Sequence, residues 1–145
     1  LYTITSKGKI LQYDRLRDKF KQINDSSTLL GTSARELRLA GENGFWVAHL
    51  GLGLAYVDLK TKSIRWYRND PDNPKSLRDN FVTAITYDKR GKLWVGTTAG
   101  LHRYNEETDD FDFVALTNRN IADTYQYRVI RSLAYDSLSD KLYIG

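Results

Sequence analysis

The residue types that could do chemistry in this chain are few and widely separated. His49 and His102 are its two histidines, and cysteine is absent. A zinc site needs three or four convergent ligands, and neither histidine has a second histidine or an acidic cluster at a ligand spacing. We therefore predict no metal site, no thiol catalysis and no disulfide, and we interpret His102 as an ordinary strand residue.

Acidic residues occur in two groups whose types would suit a hydrolase or a calcium site. The acids within residues 106–110 fall in a polar loop, where a catalytic pair would lack the burial that raises a carboxyl pKa. Asp136 and Asp140 bracket a short turn, which offers fewer oxygen ligands than calcium takes. No Ser-His-Asp arrangement is indicated by spacing. We expect solvated loops here, and no cofactor.

A repeat determines which elements carry these residues. The stretch GKLWVGTTAGLHRY at residues 91–104 recurs as NGFWVAHLGLGLAY at residues 43–56, more weakly at residues 1–14, and as a beginning at residues 141–145. The leading apolar residues of the copies are spaced by 44, 48 and 49 residues. A period in the forties is typical of propeller blades and of some helical arrays. Helical arrays need two amphipathic helices per repeat, and no such pattern is present.

The third copy shows the internal structure of one repeat. Strand patterns rich in β-branched and aromatic residues cover residues 81–87, 93–96, 101–104 and 110–114, with polar or glycine-containing turns between them. Four antiparallel strands make one propeller blade. At equivalent positions in successive copies, Trp46, Trp94 and Tyr143 are predicted to pack between blades.

We predict an all-β chain of propeller blades with four antiparallel strands each. The chain supplies about three blades' worth, and since a propeller closes with about four to eight blades, we expect a fragment of a larger propeller. The predicted units are a partial blade with strands two to four at 1–25, blades at 34–68 and 81–117, and the start of a further blade at 129–145. The connectors are 26–33, 69–80 and 118–128, and the second holds both prolines, as a surface loop would.

Charge and hydropathy exclude two classes of partner for this segment. The net charge is +4, but basic and acidic residues interleave along the chain, whereas a nucleic-acid surface shows a concentrated basic stripe. No apolar run approaches the roughly 20 residues of a membrane helix. We expect no bound nucleic acid, and membrane attachment only through a parent chain.

The third repeat closely resembles the two-component regulator propeller repeat. That pattern has an Asn-Pro-x-Ser-Leu connector, an Asp-x-x-Gly turn, a Leu-Trp-Val-Gly-Thr strand and a Gly-Leu-x-x-Tyr strand. The second repeat fits less well, because Ala48-His49 replaces Gly-Thr. The matching residues of the third repeat are Asn73, Pro74, Ser76, Leu77, Asp88, Gly91, Leu93, Trp94, Val95, Gly96, Thr97, Gly100, Leu101 and Tyr104.

The resemblance implies in which kind of protein such a segment occurs, and it implies no catalytic reaction. In that family, such repeats form the periplasmic sensor region of hybrid two-component proteins of gut bacteria, which join a sensor, a membrane span, a histidine kinase and a DNA-binding regulator. The resemblance thus implies a non-enzymatic periplasmic segment that recognises an oligosaccharide and controls a kinase elsewhere in the chain. The expected partners are this oligosaccharide, the remaining blades and a second copy in a homodimer. Two alternatives stay open, namely a scaffold that presents a protein-binding face and a propeller lyase or glycosidase.

The candidate ligand residues lie on the propeller face that the connectors and the turns between second and third strands build. Arginine offers bidentate contacts to carboxylates or sulfates, and tyrosine offers stacking plus a hydroxyl. We place His49 in one of these turns. Trp66, on an outer strand, is interpreted as a packing cap or an interface residue. The predicted ligand-binding residues are His49, Arg68, Arg78, Asn80, Arg119, Tyr125, Tyr127 and Arg128.

Overall fold

The computed structural model describes residues 1–28, 30–31, 33–116 and 129–145, and these form four antiparallel β-sheets. This confirms the predicted all-β class with four-stranded blades. The first sheet has three strands, β1 (Tyr2–Ile4), β2 (Ile10–Asp14) and β3 (Lys19–Gln22). The second sheet has β4 (Ala34–Ala40), β5 (Gly44–His49), β6 (Gly53–Asp58) and β7 (Ser63–Tyr67). The third has β8 (Val82–Tyr87), β9 (Leu93–Thr97), β10 (Gly100–Asn105) and β11 (Asp110–Val114), and the fourth has β12 (Leu133–Asp136) and β13 (Lys141–Ile144).

Within each sheet, every strand pairs with its neighbour in sequence, as in a meander. Between sheets, strand β4 contacts β8, and β8 contacts β12. Each of these is the first strand of its sheet, so the sheets lie side by side with their first strands together, as blades do around an axis. In the part of the chain that the structure describes, the one helical segment is a 3-10 turn at Ser26–Thr28, and no helix could span a membrane.

Four hairpin turns, β2–β3, β6–β7, β10–β11 and β12–β13, repeat one local chemistry. Each begins with an Asp or Asn whose side chain accepts a backbone N–H two residues later, and this stabilises the turn. Each then passes through a residue in the left-handed region, which Asp tolerates better than most residue types. The accepting residues are Asp14, Asp58, Asn105 and Asp136. The left-handed residues are Asp18, Lys62, Asp109 and Asp140, with φ between 51° and 56°.

The core lies in the gaps between sheets. In the gap between the second and third sheets, Trp46, Leu77, Ile85 and Phe111 belong to one buried cluster. The equivalent residue Trp94 packs on the next cluster. Burial of such large side chains supplies most of the stabilisation of a blade. Tyr143 is 55% exposed, and in the described residues no further sheet faces it.

The connector at 69–80 is more than the predicted surface loop. Leu77 is fully buried between the second and third sheets, and the carbonyl of Lys75 accepts the backbone N–H of Phe111 at 2.8 Å. Leu30 is buried in the equivalent way in the preceding gap. In each of these two connectors, one apolar side chain therefore anchors the chain as it crosses from blade to blade.

Two strand boundaries differ from the prediction. Phe81 was expected to begin a strand, but it makes an isolated bridge to Leu50 of the preceding sheet and is half exposed. Ile130 was expected in the first strand of the last blade. It precedes β12, is buried, and donates its backbone N–H to the carbonyl of Thr97 at 3.0 Å. Both residues link neighbouring blades, so contacts between blades replace strand pairing at these positions.

Candidate functional site

Strand direction gives every blade two distinct ends. The connectors and the turns β5–β6 and β9–β10 lie at one end, which we call the connector end. The turns β4–β5, β6–β7, β8–β9 and β10–β11 lie at the other, which we call the hairpin end. The candidate residues predicted from the sequence belong to the connector end.

Asn80 holds the connector against the β5–β6 turn. Its carbonyl accepts the backbone N–H groups of Gly51 at 3.1 Å and Gly53 at 2.8 Å. Its side-chain oxygen accepts the N–H of Asn69 at 2.7 Å. These bonds satisfy backbone donors that would otherwise be unpaired in a tight turn, so Asn80 stabilises the connector end.

Trp66 lies between two of the predicted ligand residues. The guanidinium of Arg68 lies 5.3 Å from the Trp66 ring centroid, and its Nε donates to the carbonyl of Leu52 at 3.3 Å. The ring of His49 lies 5.0 Å from that of Trp66 at a steep angle. His49 is the last residue of β5 and is fully buried, rather than lying in the turn. Arg68 is therefore the exposed member of this group.

Arg78 forms a second group with His102 and Phe113. Its guanidinium lies 3.3 Å from the Phe113 ring centroid, a cation–π contact. Its backbone N–H donates to Nε2 of His102 at 3.1 Å. Burial, followed by the charge of Arg78, lowers the pKa of His102 from 6.5 to about 4. His102 is a buried strand residue that fixes the connector, and Arg78 presents an exposed charge above it.

The other four candidates, Arg119, Tyr125, Tyr127 and Arg128, lie outside the described residues. The structure therefore brings the remaining four into two groups at the connector end, His49 with Arg68 and Asn80, and Arg78 with His102. Among the described residues, no cluster of His, Asp and Glu side chains could hold a metal ion.

Asp109 makes contacts that the sequence interpretation did not predict. It lies in an exposed loop, as expected, and it also joins two blades at the hairpin end. Its carboxylate accepts the hydroxyl protons of Tyr67 at 2.6 Å and of Tyr104 at 2.7 Å, and it pairs with Arg65. Burial opposes ionisation of Asp109, but the bonds from Tyr67, Tyr104 and Arg65 outweigh it and lower the pKa of its carboxyl. Burial and the bond to Asp109 raise the pKa of Tyr67 and of Tyr104.

Beside this group, a cavity of about 640 Å³ lies between the second and third sheets. Its aromatic lining comprises Trp46, Tyr56, Tyr67, Tyr87 and Tyr104. The charged side chains of Arg65, Lys92 and Glu106 also line it. Ligand cavities typically span about 300 to 1,000 Å³, so this one has the size of a binding site. Sequence reasoning missed it because its two walls come from different repeats.

Comparison with known proteins supports the fold. Residues 76–99 match the family model described as two component regulator propeller, which confirms the resemblance of the third repeat. No curated protein matches the chain.

Similar solved structures are extracellular domains from B. thetaiotaomicron. Two structures of BT4673, described as a one component system in one and as a hybrid two component system in the other, have 24% sequence identity to the chain and TM-scores of 0.74 and 0.75. The extracellular domain of the hybrid two component system BT3049 has 22% identity and a TM-score of 0.72. Each match covers 99% of this chain, and the chain spans 18% of the BT4673 domains and 20% of the BT3049 domain. At these identities the likeness shows the fold.

Proposed function

We propose, from the two component regulator propeller match at residues 76–99, that this chain is a ligand-sensing propeller segment of a two-component signalling protein. The observation that carries the proposal is the match itself, which falls on the connector, β8 and β9, the elements that hold neighbouring blades together. The solved structures with this fold are extracellular domains of such systems. We place the segment outside the cytoplasm, in the periplasm, on the same grounds.

The ligand class that we propose is an oligosaccharide, and the role is binding rather than catalysis. At the connector end, Arg68 and Arg78 are exposed and lie over aromatic rings, where they can turn toward a polar ligand. The other residues of the predicted ligand face are His49, Asn80, Arg119, Tyr125, Tyr127 and Arg128. Arginine suits acidic sugars through bidentate contacts.

Signal transfer would follow from ligand-dependent packing of blades or of two sensor copies. A ligand shifts such an equilibrium only by its difference in affinity for the two arrangements. The segment then controls a histidine kinase elsewhere in the parent chain without chemistry of its own.

Calorimetric titration of the complete sensor region tests the proposal. The panel consists of neutral and acidic oligosaccharides derived from polysaccharides. Saturable binding of one member is the expected result, weakened by alanine substitution of Arg78, Arg119 and Tyr127. Binding that survives all three substitutions contradicts the predicted ligand face. Absence of binding by the folded region contradicts oligosaccharide sensing and favours a scaffold that presents a protein-binding face.

A further inference from the structure

The gap between the third and fourth sheets is spanned at its hairpin end by an ion pair, beside a small cavity of about 270 Å³. Nζ of Lys89, in the β8–β9 turn, lies 2.6 Å from a carboxylate oxygen of Asp140, in the β12–β13 turn. Next to it, the indole N–H of Trp94 donates to Asp88 at 3.1 Å. The first turn of one blade is thereby tied to the first turn of the next.

The gap between the second and third sheets lacks these groups and has the larger cavity, of about 640 Å³. In the register that aligns Trp46 with Trp94, Gly41 takes the place of Lys89 and Ala40 that of Asp88. Gly91 is the residue with left-handed backbone in the β8–β9 turn of the third sheet, as Asp140 is in the β12–β13 turn of the fourth.

Neither glycine is required by its surroundings. A Cβ added at Gly41 or at Gly91 would meet no atom within 4 Å. Both glycines, together with Ala40, line the cavity of about 640 Å³. The gap without the ion pair thus has a cavity of about 640 Å³, against about 270 Å³ in the gap with it.

The side chains within the cavity match a ligand of a particular kind. Tyrosine presents an apolar ring and a hydroxyl that both donates and accepts. The hydroxyls of Tyr67 and Tyr104 donate to Asp109, which fixes the orientation of both rings in the cavity wall. Lys92 and Glu106 take part in no ion pair within the described residues, and their charges are opposite.

This lining disfavours other ligand classes. A wholly apolar ligand would cover the charged groups of Lys92 and Glu106 without bonding them, which costs free energy. A strongly charged ligand would meet Lys92 and Glu106, which have opposite signs. A ring with C–H groups on its faces and hydroxyls at its rim can contact the aromatic faces and bond both charged groups.

We propose that this cavity, between the second and third blades at the hairpin end, binds a pyranose unit of a neutral saccharide. It is distinct from the predicted ligand face at the connector end. The assignment rests on the proposed sensing of an oligosaccharide and specifies where one sugar unit binds. Specificity arises because a site built to bond hydroxyls discriminates against ligands that lack them.

The test installs the missing tie and removes no side chain of the lining. The double variant Gly41→Lys/Gly91→Asp copies Lys89 and Asp140 into the open gap, and Ala40→Asp separately copies Asp88. Both new residue types already occur in the left-handed region here, at Lys62 and Asp140. The matched control is Gly31→Asp, since Gly31 also has a positive φ, at 71°, with open space around it, and lies away from the cavity.

The probes are methyl glucopyranoside, methyl mannopyranoside and methyl galactopyranoside with their disaccharides, titrated into the complete sensor region. We expect one series to bind, the double variant to bind at least about tenfold more weakly, a loss of about 1.4 kcal/mol, and Gly31→Asp to be unchanged. Thermal melts establish that each variant is folded. If the double variant fails to fold, Ala40→Asp gives the decisive comparison, with an expected weakening in the same direction.

Failure of the cavity proposal can be distinguished from failure of the proposed oligosaccharide sensing. Unchanged sugar affinity in the folded double variant and in Ala40→Asp overturns the cavity as the site and leaves oligosaccharide sensing intact. The cavity proposal is also overturned, and oligosaccharide sensing is left intact, if polysaccharide-derived oligosaccharides bind the sensor region but none of these probes does. Absence of binding by any saccharide overturns both proposals.

Discussion

The two ends of the blades are held together by different kinds of bond. At the connector end, backbone groups bridge neighbouring blades, through Gly51 N–H to Asn80 O and Ile130 N–H to Thr97 O. At the hairpin end, side chains bridge them, through Arg65 to Asp109 and Lys89 to Asp140. Backbone bonds depend little on residue type, whereas ion pairs are lost when one partner changes.

The comparison indicates where a propeller of this kind can diversify. The hairpin end with Asp88-Lys89 has an ion pair and a cavity of about 270 Å³, whereas the one with Ala40-Gly41 lacks the pair and has a cavity of about 640 Å³. The connector-end bonds remain in both blades. The connector end therefore maintains the fold, and the hairpin end is free to acquire or lose a cavity.

The largest expected effect is at the connector end, on the β5–β6 turn. Gly53→Ala would place a Cβ 2.2 Å from the carbonyl oxygen of Tyr67, at a φ of 91°. We expect a loss of about 3 kcal/mol or more in the free energy of unfolding, measured by denaturant titration. The control Gly31→Ala lies in open space at a positive φ and should cost about 1–2 kcal/mol. Equal losses in the two variants would contradict the role of this turn.

The second prediction concerns the pH dependence of the free energy of unfolding that His102 contributes at the connector end. The folded pKa of His102, about 4, lies below its ordinary 6.5, so the unfolded chain binds more protons between these values. Stability is complete above pH 6.5 and declines as the pH falls toward 4, by at most about 3 kcal/mol. His102→Gln, whose amide oxygen can still accept the Arg78 N–H, should flatten this part of the stability profile. A profile unchanged by the substitution would exclude His102 as its source.

These features differ in how far the sequence could predict them. The blades follow from the repeat of Trp46 at Trp94 and from hairpin turns whose chemistry is local, such as Tyr104 bonding Asp109 five residues later. The partners of Asp109 on the preceding blade, Tyr67 and Arg65, lie 42 and 44 residues away. Local periodicity carries no information on such pairs, because they arise only when two blades pack.

The burial of Leu77 escaped prediction for a related reason. The residue lies in a polar, proline-containing connector, and the composition of a loop predicts exposure. It is buried because the connector must cross the gap between two sheets, where one apolar side chain fills the space left by their twist. Likewise His49 is the last residue of β5, and its ring packs against Trp66 of β7, a strand that does not follow β5 directly in sequence.

The third prediction concerns the hairpin end. Asp109→Asn removes the charge that Arg65, Tyr67 and Tyr104 share, and should lower the free energy of unfolding by about 1–2 kcal/mol, since the group is partly exposed. The pKa of Asp109 is lowered in the folded state, so its contribution is present above the ordinary value of 3.8 and is lost as the pH falls below it. Asp72→Asn, at an exposed acid without an ion pair among the described residues, is the control. If Asp109→Asn had the same free energy of unfolding at neutral pH as Asp72→Asn, then Asp109 would not tie the blades.

The smallest expected effect distinguishes the two exposed arginines of the connector end. The guanidinium of Arg78 lies 3.3 Å from the Phe113 centroid, and that of Arg68 lies 5.3 Å from Trp66. Exposed cation–π contacts contribute about 0.5–1 kcal/mol, so Arg78→Gln should cost an amount near the upper figure and Arg68→Gln less, in the same denaturant titrations. Such small values mean that either arginine can leave its ring for a ligand without loss of the fold. A loss from either substitution as large as that of Gly53→Ala would instead make the arginine part of the framework, and would exclude it as a freely moving ligand contact.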